Sequence, residues 1–126
     1  MSRIDQLLER ARARLKRVDP AAARAAMDEG AVLVDIRAES QRAADGVVPG
    51  ALFIARNVLE WRCDPASDHH DERVGAGRQV VVMCNEGYQS SLVAATLHEL
   101  GHDRATDLDG GFQAWKATGS PAAFHA

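Results

Sequence analysis

The run Val80-Val81-Val82-Met83-Cys84 ends an apolar stretch on a thiol, and Asn85-Glu86-Gly87-Tyr88-Gln89-Ser90 follows as a short polar loop with one glycine. A helix-like pattern begins near Gln89. This order predicts a cysteine at the end of a buried strand, facing main-chain N–H groups and the positive end of a helix dipole. Both features favour the thiolate, the nucleophilic form of the side chain. Gly87 suits a tight loop, because it lacks a Cβ and tolerates positive φ. Ser90 can cap the helix and donate to the sulfur or to the loop. Glu86 works the other way, since a carboxylate within ~6 Å of a thiol disfavours the anion. It is therefore expected to point outward. Tyr88 reads either as packing of the loop or as an aromatic face for a substrate.

Such a thiol needs a frame to hold it. The chain has 126 residues, which suits one domain, and at 46% hydrophobic and 26% charged it can bury a core and stay soluble. Fifteen basic and 18 acidic residues give a net charge of −3, which points to neither nucleic acid nor membrane. The charge is uneven, because residues 1–17 carry a local +4. Two cysteines, Cys63 and Cys84, are too few for a disulfide framework. With no signal-like apolar run and no stretch near the ~20 apolar residues that span a bilayer, the simplest expected setting is the reducing cytoplasm.

Periodicity orders the frame. Residues 3–17 read as an amphipathic helix, with Ile4, Leu7, Leu8, Ala11, Leu15 and Val18 on one face and arginines around the rest. The plain reading is a helix packed on the domain with a solvated basic face. Asp19-Pro20 reads as an N-cap and first turn of a helix reaching about Glu29 and stopping at Gly30. Residues 31–36 form a near-continuous apolar run, which fits a strand buried on both faces. A polar segment, a turn at Asp45-Gly46, another at Pro49-Gly50 and a short strand over 51–54 follow. A helical turn is expected near Asn57–Arg62, a surface loop over 64–77, the central strand over 79–83 and a helix over 89–100 with Gly101 at its end. A last strand over 105–108 leads through Asp109-Gly110-Gly111 to a helix over 112–116, closed by Gly119-Ser120-Pro121. Strands alternating with helices predict an α/β sandwich on a mostly parallel sheet, with sites at the carboxyl ends of its strands.

Four segments, in this order, resemble the single-domain rhodanese family over about residues 19–118. Val34-Asp35-Ile36-Arg37 is similar to its Asp-x-Arg strand end, and Gly46-Val47-Val48-Pro49-Gly50-Ala51 to its Gly-His-Ile-Pro-Gly-Ala turn. Cys84 to Ser90 is similar to its Cys-x-x-Gly-x-x-Ser loop, and Leu108 to Trp115 to its Leu-x-Gly-Gly-x-x-Ala-Trp ending. The resemblance implies a three-layer α/β sandwich with helices on both faces of the sheet over 19–126, preceded by the extra amphipathic helix of 1–18. It also implies a sulfurtransferase working through a Cys84 persulfide, with no separate cofactor and no metal. The donor would be thiosulfate or another persulfide or thiosulfonate. The acceptor would be cyanide or a thiol, including that of a thioredoxin-like or other protein. The chain departs from the pattern at Val47, in a segment between Arg37 and Gly46 one residue longer than usual, and in the loop. There Asn85, Glu86 and Gln89 stand where Arg, Lys or Thr are frequent, so thiosulfate is expected to be a poorer donor.

Asp35 and Arg37 read either as an ion pair tying the strand end to neighbouring loops or as a source of positive potential near the cleft. Arg56 is a candidate anion-binding group that would partly replace the missing loop cations. Phe112 and Trp115 read as core, and Trp61 as an anchor of its short helix or part of the rim. Three other functions compete. Cys-x5-Arg phosphatases need a guanidinium where this chain has Ser90, with Ser91 next. A non-catalytic binding or regulatory module would not require Cys84. A redox pair with Cys63 would need the two Cα atoms within ~7 Å. The Asp64, Asp68, His69, His70 and Asp71 group does not match structural zinc spacing. His98 and His102 fit a favourable interaction with a helix carboxyl end.

Overall fold

The computed structural model describes residues 1–75 and 77–119. Ser120 and Pro121, expected to close the last helix, lie outside the described residues. The elements are α1 (Arg3–Ala13), α2 (Pro20–Asp28), β1 (Val32–Asp35), α3 (Glu39–Asp45), β2 (Leu52–Phe53), a 3-10 turn (Arg56–Val58), α4 (Leu59–Cys63), β3 (Val80–Met83), α5 (Gln89–Glu99), β4 (Thr106–Asp107) and α6 (Gly111–Ala117). The strands form one sheet in the order β2-β1-β3-β4, and every pairing is parallel.

Alternation along the two central strands divides the core. Val32, Val34, Ile36, Val80, Val82 and Cys84 face one way and pack with Leu59 of α4 and Val93 and Leu97 of α5. Leu33, Val81 and Met83 face the other way, against Ala23 of α2 and Phe112 and Trp115 of α6. Both faces of the sheet are covered, so its strands can be apolar throughout. The fold is the expected three-layer α/β sandwich with an added N-terminal helix.

Four local expectations change. The polar stretch after β1 contains α3, which buries none of its residues and so leaves no apolar period to read. Helix α1 stops at Ala13 rather than near Arg17. Beyond it the chain runs extended enough for Val18 to bridge Leu108 in parallel, at the edge of β4. Ile4 and Leu7 are exposed, while Ala11 is buried where α1 packs on α5. Trp61 is 57% exposed, against the reading of a buried anchor for its short helix. His98 and His102 are held by carbonyls rather than by a helix end alone: His98 Nε2 pairs with Ala105 O at 2.7 Å, and the buried His102 Nε2 with Cys63 O at 2.6 Å.

Candidate active site

Cys84 follows β3 directly, at the carboxyl edge of the sheet. Its side chain packs under the loop it begins, and only 3% of the residue is exposed. Two main-chain N–H groups point at the sulfur: Gly87 N donates to Sγ at 3.2 Å and Ser90 N at 3.4 Å. Ser90 is the second residue of α5, whose N–H has no partner inside its own helix. No side chain caps this helix at Tyr88. The sulfur stands where a capping oxygen would, in the positive field of an 11-residue helix.

The loop backbone is gripped from two sides. From α6, Phe112 N donates to Cys84 O at 2.9 Å and Gln113 N to Asn85 O at 3.1 Å. The Gln113 amide adds a bond to Asn85 Oδ1 at 3.1 Å. This approach needs the glycine pair before α6. Gly111 has φ +62, and a Cβ there would fall 2.5 Å from Cys84 O. Gly87 has φ +88, and a Cβ on it would meet Gly110 N at 2.8 Å. The second grip comes from the N-terminal segment. Arg12 Nη2 and Arg17 Nη2 both donate to Gly87 O, at 2.8 and 2.9 Å. Arg12 also reaches Ser91 Oγ at 3.1 Å and lies 5.6 Å over the Tyr88 ring.

Asp107, wholly buried at the end of β4, ties these parts together. It accepts from Arg17 at 2.9 and 3.2 Å, from Ser90 Oγ at 2.7 Å and from Ser91 Oγ at 2.8 Å. Arg17 also pairs with Asp109 at 3.2 Å. Burial works against the Arg17 charge, but the bond and charge of Asp107, with Asp109 and Cys84 adding, raise its guanidinium above the usual arginine range. Sequence reading missed Arg12, Arg17, Ser91 and Asp107. The only signal was the local excess of arginine before residue 18.

The other expected residues separate. Asn85 is half-buried; Glu86, Tyr88 and Gln89 are exposed, so Glu86 points outward as expected. Ser90 does not cap α5 or turn its hydroxyl to the sulfur, because Asp107 takes it. Asp35 and Arg37 form a buried bidentate pair at 3.1 and 2.9 Å, extended to Gly46 O and Arg42. The Arg37 guanidinium stacks 3.9 Å from the Phe112 ring. This is the ion-pair reading, which closes the strand end onto the Gly46 turn. Arg56 lines a cleft of about 410 Å³ with Arg37, Phe53, Asn57 and Gln89, but Glu60 binds its guanidinium at 2.9 and 3.1 Å. It is thus a partly neutralised rim cation. Cys63 is fully buried, and burial, with Asp71 and Glu60 adding, pushes its thiol up to about 12. That makes it a poor thiolate and a poor resolving partner.

Among the described residues no group of three or more His, Cys, Asp or Glu is placed to hold a metal, and no helix is long and apolar enough to cross a membrane.

Comparison with known proteins adds a family. The rhodanese-like domain matches residues 19–118. The thiosulfate sulfurtransferase GlpE of Stutzerimonas stutzeri is 32% identical over 103 residues, and that of Pseudomonas fluorescens 34% over 104, each match spanning 82% of this chain and 86% of the relative. A Rhodopseudomonas palustris protein of unknown function, described as a possible tyrosine phosphatase, is similar at a TM-score of 0.87 and 30% identity, over 97% of this chain and 95% of that one. The polysulfide-sulfur transferase homodimer of Wolinella succinogenes shares the fold, with a TM-score of 0.73 at 23% identity over 91% of this chain and 82% of that one.

Proposed function

The chain belongs to the rhodanese-like domain family, and from that premise we propose that it is a sulfurtransferase whose sulfur carrier is Cys84. The Cys84 thiolate attacks the sulfane sulfur of thiosulfate or of another persulfide or thiosulfonate. The new S–S bond forms as the old one breaks, and sulfite or the corresponding leaving group departs with the electron pair. A cyanide ion or a thiolate, free or on a protein, then attacks the terminal sulfur. Thiocyanate or a new persulfide leaves and Cys84 is again a thiolate. No external oxidant or reductant is needed.

The observation that carries this reading is the pair of N–H groups from Gly87 and Ser90 aimed at Sγ. Such a nest favours an anionic sulfur at this position, the thiolate before transfer and the persulfide that replaces it. The names of the GlpE relatives support the same class of reaction. The buried position of Sγ suits a small donor or an extended thiol. The cytoplasm, with its supply of thiols, is the setting we propose.

A phosphatase, suggested by the description of the Rhodopseudomonas relative, would bind phosphoryl oxygens through a guanidinium six residues after the cysteine. Ser90 stands there and its hydroxyl is committed to Asp107. The two nearby guanidiniums are spent on a carbonyl. The test is thiocyanate release from cyanide with a panel of donors, beside hydrolysis of an aryl phosphate. Donor-dependent thiocyanate that disappears in Cys84→Ser supports the transferase. Phosphate release alone would support the phosphatase, and neither product would leave a binding module.

A further inference from the structure

We propose that Arg12 and Arg17, which precede the segment shared with the family, are positioning residues that hold the Cys84 loop in its anion-binding shape and supply the positive charge its own sequence lacks. The proposal takes Cys84 as the reacting group and so rests on the reading above.

Gly87 is the hinge of the argument. Its N–H donates to Cys84 Sγ, while its carbonyl oxygen receives two guanidinium bonds at 2.8 and 2.9 Å. The amide and carbonyl flank one Cα with φ +88, a conformation that glycine holds without a side chain to wedge it. Holding the oxygen on two cations therefore restrains the residue whose N–H meets the sulfur. Both donors are anchored elsewhere. Arg17 forks onto Asp107 at 2.9 and 3.2 Å, and Asp107 also accepts the Ser90 and Ser91 hydroxyls. Arg12 is steadied by Ser91 Oγ. The path from the N-terminal segment to the second amide is equally short, since Ser90 carries both the hydroxyl bound to Asp107 and the N–H bound to Sγ.

Charge points the same way. Asn85, Glu86 and Gln89 leave the loop with one carboxylate and no cation. Arg12 and Arg17 place two cations behind it; the buried Asp107 and the exposed Asp109, both paired with Arg17, offset part of that charge. The side chain of Arg17 is 17% exposed, so its field is only partly screened by water. Residues 14–18 are fastened where this requires: Val18 N donates to Asp107 O at 3.1 Å, Asp109 N to Val18 O at 2.8 Å, and Thr106 Oγ1 to Lys16 O at 2.8 Å.

The test is the pH dependence of Cys84 alkylation by iodoacetamide, followed in the full chain without any sulfur donor, for Arg12→Gln, Arg17→Lys and the pair Arg17→Gln/Asp107→Asn. Arg3→Gln, which removes the same charge from the start of α1, is the control. The inflection is expected to move to higher pH by about half a unit or more in Arg12→Gln and in the double variant, less in Arg17→Lys, and not in Arg3→Gln. In thiocyanate release the same variants should lower kcat more than they raise KM. Inflections that coincide with the wild type would overturn the proposal, even if activity falls, because a purely structural role predicts that pattern. An equal shift in Arg3→Gln would also overturn it, since bulk charge would then suffice. Alkylation is read without sulfur transfer. A wild type that transfers no sulfur would refute the transferase reading and leave the positioning role to be decided by the inflections.

Discussion

The Ser90 hydroxyl donates to Asp107 Oδ2 at 2.7 Å, so it faces away from the Cys84 sulfur that the Ser90 N–H addresses at 3.4 Å. One residue thus serves two masters, with its backbone in the sulfur nest and its side chain in the network that holds the nest.

Separating these roles gives a first prediction. Ser90→Ala keeps the N–H on Sγ and should lower kcat/KM by less than about tenfold, or ~1.4 kcal/mol in the barrier. It should cost about 1–3 kcal/mol of stability for the lost bond to a buried carboxylate. Asp107→Asn leaves Arg17 with only the exposed Asp109 as counter-charge and should cost more, about 3–5 kcal/mol. Urea melts beside steady-state kinetics check both, and a Ser90→Ala enzyme as inactive as Cys84→Ser would place the hydroxyl in the chemistry after all.

Gly111→Ala sets a Cβ against the Cys84 carbonyl in a left-handed backbone. The expected cost is about 1–3 kcal/mol from strain alone, with a loss of kcat because the start of the loop must move. A variant with wild-type melting and kinetics would show that α6 does not press on Cys84.

Arg37 should matter for folding and little for substrate. Its guanidinium is buried on Asp35 and Phe112, so Arg37→Met should lower stability by about 3–5 kcal/mol and leave KM for thiosulfate near the wild-type value. A large rise in KM with an unchanged melt would return Arg37 to the role of anion binder.

Cys63 gives a pH prediction. Its thiol is raised in the folded chain to about 12, against ~8.5 for an unfolded thiol. The unfolded state therefore loses that proton first as pH rises. The stability tied to the neutral thiol is full below ~8.5 and is lost progressively up to about 12. Cys63→Ala should flatten this alkaline decline. At pH 8 the native chain should take up a single iodoacetamide, on Cys84, which peptide mapping would locate; labelling of Cys63 at a comparable rate would contradict its raised thiol.

Glu86 is exposed at the mouth of a loop with no cation of its own. Neutralising it in Glu86→Gln should raise kcat/KM for the dianion thiosulfate by about two- to fivefold, the range of a solvent-screened charge. The effect should shrink with added salt. An unchanged kcat/KM would show that the donor does not pass this carboxylate.

The fold was legible where burial left a period. The apolar runs ending at Ile36 and Met83, the Asp19-Pro20 helix start and the inward Val93 and Leu97 all carry it. Helix α3 was not, because none of its side chains is buried. Within the site, Cys84 and Gly87 follow from local order, since a strand end, a glycine and a helix start lie within seven residues. Arg12, Arg17 and Asp107 do not, because they meet Gly87 and Ser90 across 70 to 75 and 17 positions, distances over which no local pattern operates. The basic N-terminal stretch was visible as charge, but the same arginines could as well have faced water. Packing of α1 on α5 turns Arg12 inward, and the fastening of residues 14–18 along β4 does the same for Arg17.

The central claim is that Cys84 carries sulfur as a persulfide, and the intact mass of the protein after incubation with a sulfane donor tests it most directly. The account predicts a gain of one sulfur atom, mapped to Cys84, removed by cyanide with release of thiocyanate and absent in Cys84→Ser. A mass unchanged across thiosulfate, a thiosulfonate and glutathione persulfide, with the thiol still open to alkylation, would contradict it.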